Sequence, residues 1–245
     1  IDELIKIEQA ITIDLNGKKV TSTAKKAFEI YADTTIKNGT IEAANRCVDT
    51  RVAVELILTD VDLIADKYIS AYGNPQPLTI GGAENGTKVT MNNVTINAGS
   101  SGYAIISFVK TELIAIDSTF GGYSALYVKS GSENSTFTFE NCDLSGSTAD
   151  NDVEGNSFST IAVRADNVTV NVDADSTVTA DGNYCCAISL DGNFADITVA
   201  GEIKGNVLAV SDLTNNTVAI NANYADKLNA EGFAVTEPVN GMVIV

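Results

Sequence analysis

The sequence predicts an all-β chain, a right-handed parallel β-helix of about nine coils with three short strands in each. Three observations lead there. An Asn or Asp recurs at Asn16, Asn38, Asp60, Asn93, Asp117 and Asn141, at spacings of 22, 22, 33, 24 and 24 residues, the length of one solenoid coil with one longer member. From Asn38 to Asn141, the residues two and four places before it alternate with period two and are mostly apolar (Ile36/Thr34, Leu58/Leu56, Met91/Val89, Ala115/Leu113, Phe139/Phe137), and the residue three places after it is Ile41, Leu63, Ile96, Phe120 or Leu144. Finally, 44% of residues are hydrophobic while only 7% are aromatic and Trp is absent, so the core is drawn mainly from Val, Ile, Leu and Ala.

The elements follow in chain order. Residues 1–10 (IDELIKIEQA) are one of two helix-like stretches and sit where a solenoid needs a cap over its open sheet edge. Residues 11–223 form the coils, each a strand, a polar turn at the Asn/Asp, a second strand, and then a third. The third strands are segments such as YAIISF (103–108), SALYV (124–128), STIAV (159–163), CCAISL (185–190) and VLAV (207–210). The longer coil holds the loop 72–86 with Pro75 and Pro77. Residues 224–245 complete a single domain with a second helix-like stretch and a last strand, MVIV. One coil buries its apolar face only against its neighbours, so the coils must stack.

Composition excludes several functions. A formal net charge of −17 excludes a nucleic-acid partner, whose phosphates need clustered Lys and Arg, and also disfavours anionic membranes. It favours cations such as calcium and repels an anionic polysaccharide that no metal bridges. No run of about 18 apolar residues is present, so no membrane insertion is expected. With no His, imidazole chemistry is out. Cys47, Cys142, Cys185 and Cys186 lack a C-x-x-C pair and read as buried thiols, with a vicinal disulfide at Cys185 and Cys186 the lesser alternative. Six N-x-Thr sequons, the first at Asn38, follow from Asn/Thr-rich turns and are not read as glycosylated.

The opening ITIDLNGKKVTS followed by FEIYADTTIKNGTIEAAN resembles the start of pectate-lyase-like right-handed β-helix domains of bacterial secreted and cell-surface proteins. The motif covers about residues 11–45, and the coil pattern carries it to roughly 220. The resemblance implies this fold and a secreted or cell-surface location. It leaves activity open, because that superfamily includes lyases, hydrolases and non-catalytic adhesins.

Four groups of side chains are candidates for chemistry. The Asn/Asp column reads as an amide ladder at a turn. A second column, Tyr68, Tyr103, Tyr123, Phe158 and Tyr184, precedes successive third strands; the rings either stack at a corner or face outward as a platform for a sugar, which makes Tyr68, Tyr103, Tyr123 and Tyr184 the ligand-binding candidates. Asp150, Asp152 and Glu154 alternate in a loop ending at Gly155, as in the first half of a calcium loop, but the twelfth position is Ile161, and a solvated acidic turn explains them as well. The resemblance to pectate lyases implies a calcium-bound carboxylate cluster with an Arg base. The catalytic candidates are therefore Arg46 and Arg51, in one loop near Asp49, with Asp60 and Asp62 in the adjoining coil; the reading set against this is an ordinary surface ion-pair cluster. Two functions follow: a non-catalytic surface module that binds glycan or extracellular matrix, adheres, or acts as a spacer, with no cofactor beyond calcium; or, as the alternative, a polysaccharide lyase or glycoside hydrolase.

Overall fold

The computed structural model describes residues 1–82, 86–147, 159–182, 184–210 and 213–245, and the chain is a parallel β-solenoid of about 8 turns. A first sheet of nine parallel strands runs from Ile5–Ile7 through Lys26–Ile30, Arg46–Thr50, Leu78–Ile80, Tyr103–Ser107, Ser124–Val128, Ser159–Val163 and Cys186–Leu190 to Asn206–Val210. The nine rungs of this sheet enclose about eight turns, close to the expected count of about nine. The other two thirds of each coil form a 14-stranded sheet. In the early coils one long strand bends through both parts: Ile11–Ser22, Thr34–Ala43, Glu55–Ile64 and Thr87–Asn97. Later coils break at the same place, as in Thr111–Ile116 and Thr119–Gly122.

The bend explains the Asn/Asp repeat. Asn16, Asn38, Asp60, Asn93, Asp117 and Asn141 all have φ between 50° and 59°, the left-handed region that Asn and Asp tolerate among residues with a Cβ. Flanking residues pair in register from coil to coil, which stacks Asn38, Asp60, Asn93, Asp117 and Asn141 in one column. The side chains bond in Asn–Asp pairs on the outside: Asn38 Nδ2 donates to Asp14 at 3.1 Å, Asn93 to Asp60 at 2.7 Å and Asn141 to Asp117 at 2.6 Å. Ile41, Leu63, Ile96, Phe120 and Leu144 are buried, as the spacing requires. In the first coil the bend takes three residues, Leu15, Asn16 and Gly17, the last two with positive φ, where the next coil has Asn38 alone. That bulge presses on Gly39, where a Cβ would lie 2.4 Å from the Lys18 carbonyl oxygen, so only Gly fits.

The core is continuous, with Phe120, Phe137 and Phe139 the largest fully buried side chains among the described residues; Phe120 and Phe139 meet edge to face at 5.7 Å. The two ends differ. At the C-terminal end, helix Ala225–Ala230 buries Leu228, Glu231 accepts from the Val207 and Leu208 amides, Tyr224 Oη accepts from the Ile203 amide at 2.7 Å, and Met242–Ile244 pairs antiparallel with Thr217–Asn221. The sheet edges that would otherwise be exposed there are covered. At the N-terminal end the expected helical cap is absent. Residues 5–7 alternate as I-K-I and pair with Phe28–Ile30, because adding a rung buries Ile7, which a short isolated helix would leave in water. Ile5–Ile7 and Ile11–Ser22 pair on one side only, and Ile1, Ile5 and Ile11 are exposed.

Candidate binding groove

The outward face of the first sheet carries a concavity lined by aromatic rings. Strand register lays its outward side chains in columns that run along the solenoid axis. One column descends from Tyr127 to Ala162, Ser189 and Ala209; its neighbour descends from Tyr103 to Ser124, Ser159 and Cys186. Large rings followed by small side chains make a step, and the space beyond it is a groove of about 560 Å³. Tyr103 and Tyr127 stack at 4.8 Å with an interplanar angle of 22° and form its end wall, with Tyr123 edge-on to Tyr103 at 6.1 Å. Tyr184 and the Arg164–Asp191 ion pair, 2.5 Å between Nη1 and Oδ2, also line it. On the other side of Tyr103 and Tyr123 lies a smaller recess of about 310 Å³, lined by Asn74, Ser100 and Ser101.

Local sequence places these rings. Gly102 and Gly122 precede Tyr103 and Tyr123, and the Tyr123 amide donates to the Gly102 carbonyl at 2.7 Å. A Cβ on Gly102 would meet the Ala98 oxygen at 2.3 Å and Pro75 Cβ at 2.8 Å, so the corner closes only on Gly. Burial pushes the Tyr103 phenol up in pKa against a hydrogen bond with Asn74, and burial likewise raises Tyr123. Both rings therefore present neutral hydroxyls at neutral pH.

The proposed tyrosine column is thus only partly a column. Tyr103 pairs in register with Ser124, so Tyr123 stands one residue earlier and projects from the corner. Tyr68 is exposed in a loop; the third strand of that coil is Leu78–Ile80, because KYISA lacks the inward apolar pair that the strand needs. Phe158, Asp150, Asp152 and Glu154 lie outside the described residues. Tyr127, a wall of the groove, lies outside the expected tyrosine column. Aligning the third strands by phase (SALYV, STIAV, CAISL, NVLAV) would have shown Tyr followed by Ala, Ser and Ala at the outward fourth place.

Arg46 opens the strand Arg46–Thr50 and Arg51 stands just past its end, on the same face as the groove but nearer the N-terminal end, so they flank a strand rather than share one loop. They meet Asp49 at 3.0 and 3.5 Å, Lys26 bridges Glu29 and Asp49 at 2.5 and 2.6 Å, and Tyr31 Oη donates to Glu29 at 3.0 Å. Burial would raise the Glu29 carboxyl, but hydrogen bonds from Lys26 and Tyr31 and the nearby cations override it and lower its pKa. Asp49 is fully buried, and none of the recesses described above is lined by this cluster. Asp60 and Asp62 belong to the other sheet, where Asp60 pairs with Asn93 and Asp62 accepts from Thr40, and neither makes an ion pair with Arg46 or Arg51. Strand alternation and the intervening corner separate residues that sequence distance had suggested as neighbours.

All four cysteines are buried thiols, and Cys185 and Cys186 form no vicinal disulfide. Among the described residues no group of three or more His, Cys, Asp or Glu is placed to hold a metal ion, and no helix is long and apolar enough to cross a membrane. No family model, curated protein or solved structure matches the chain.

Proposed function

We propose that this chain is a non-catalytic, glycan-binding β-helix module of the pectate-lyase-like kind, displayed outside the cell, and that the groove beside Tyr103, Tyr123 and Tyr127 holds the glycan. The observation that carries the reading is the step from stacked tyrosines to small side chains: aromatic faces with adjacent hydroxyls and a carboxylate suit the apolar faces and hydroxyl rims of sugar rings. The competing reading, a lyase or hydrolase, draws on the grouping of Arg46, Arg51, Glu29 and Asp49. There each carboxylate is engaged by cations, and Asp49 has no access to a substrate. General acid or base work needs a group that reaches the reacting atom.

The test is a glycan-array and degradation screen on the pure protein, with and without calcium. Binding that is weakened about tenfold by Tyr127→Ala, with no new reducing ends or unsaturated product, is the expected result. Turnover abolished by Arg51→Ala or Arg46→Ala would reverse it.

A further inference from the structure

Resting on the glycan reading of this groove, we infer that its ligand is a neutral oligosaccharide rather than a uronate or other anionic glycan. The chain has three arginines, Arg46, Arg51 and Arg164, and all of them lie on the face that carries the groove. Each is already matched: Arg46 by Asp49, Arg51 by Asp49 and Glu29, and Arg164, the one in the groove, by Asp191 at 2.5 Å. A sugar carboxylate entering beside Arg164 would meet a cation whose charge Asp191 neutralises, within a protein of formal charge −17. It would lose hydration without gaining a free partner.

What the groove does offer is neutral. Its floor presents Ser124, Ser159 and Ser189, and the Ser189 hydroxyl is buried with no hydrogen-bond partner among the described residues. A buried hydroxyl in that state needs a donor or acceptor from outside, which a sugar hydroxyl supplies. The Asp191 carboxylate, its charge balanced by Arg164 but its surface still largely exposed, accepts from sugar hydroxyls. The second recess beyond Tyr103 and Tyr123 extends the site along the solenoid, so the ligand is a chain of sugars rather than one ring.

The experiment measures calorimetric affinity for neutral oligosaccharides (cello-, xylo- and galacto-series) and for oligogalacturonate and oligomannuronate. It uses the wild type, Ser189→Ala, Tyr127→Ala and Asp191→Asn, each checked for folding by circular dichroism. Expected are binding of a neutral series that changes less than about twofold between low and high salt, a loss of about tenfold in Ser189→Ala and more in Tyr127→Ala, and a gain for uronates in Asp191→Asn, which frees Arg164. Wild-type preference for uronates would overturn this inference and leave the glycan reading standing. Binding to no glycan in either class would overturn both.

Discussion

Replacing Glu231 with Ala removes a seal that holds one sheet edge by a single side chain. The Glu231 carboxylate accepts from the Val207 amide at 2.9 and 3.1 Å and from the Leu208 amide at 3.2 Å, both on Asn206–Val210, the last rung of the first sheet. Among the described residues no further strand covers that rung, so the two donors lose their partner together. Hydrogen bonds to a charged group contribute about 1.5–3 kcal/mol each, and because the site is only partly buried water recovers some of that, so the net loss in Glu231→Ala should be about 2 kcal/mol. Glu231→Gln keeps an acceptor without the charge and should cost about half as much. In a solenoid the damage stays near the altered repeat. Hydrogen exchange should therefore accelerate at Val207 and Leu208 while the amides of Glu55–Ile64 keep their protection. A Glu231→Ala protein within about 0.5 kcal/mol of wild type by urea unfolding, with unchanged exchange at both amides, would refute the assignment of Glu231 as the edge seal.

Two further outcomes are expected. Leu63→Ala, at a fully buried position between Ile41 and Ile96, should cost about 3 kcal/mol in urea unfolding, and a loss below about 1 kcal/mol would show the register to be wrong. Burial pushes the Cys142 thiol up to about 11, against hydrogen bonds to backbone that pull it down, and burial raises Cys47 as well. The folded thiol keeps its proton where the unfolded one has lost it, so stability should fall as pH rises from about 9 to about 11, less steeply in Cys142→Ala; a pH-independent stability across that window would contradict it.

The coil pattern was legible because one backbone state repeats. A left-handed bend excludes most residues with a Cβ, so Asn and Asp mark it, and the inward positions at fixed offsets must be apolar. The groove was harder to see because outward positions obey no such rule. Tyr103 and Tyr123 were found as aromatics before a strand, but their one-residue offset and the contribution of Tyr127 depend on pairing between coils. Arg46 and Arg51 were correctly grouped with Asp49 because all three belong to one short segment, whereas Asp60 and Asp62 were misplaced, since proximity in the chain ignores the corner that sends them to the other sheet. Residues 1–10 were misread because I-K-I satisfies a helical and a strand pattern alike, and only the neighbouring rung decides.

The contrast between the two ends gives the molecule a direction of growth. At the open end the Ile1 ammonium donates to the Thr21 carbonyl at 2.6 Å and the Thr23 amide donates to Ile1 at 3.1 Å, which sets residue 1 beside Ser22 in the geometry of one coil above another. Polypeptide grafted ahead of Ile1 can therefore continue winding in phase, each added turn shielding Ile5 and Ile11 and creating a fresh template for the next. Polypeptide attached after Val245 has no such template, because the helix, Glu231 and the reversed strand Met242–Ile244 close the stack. Repeats added by engineering therefore belong ahead of Ile5–Ile7 or between coils, where a rung is left to template them, rather than beyond the helix and reversed strand that cover the last rungs.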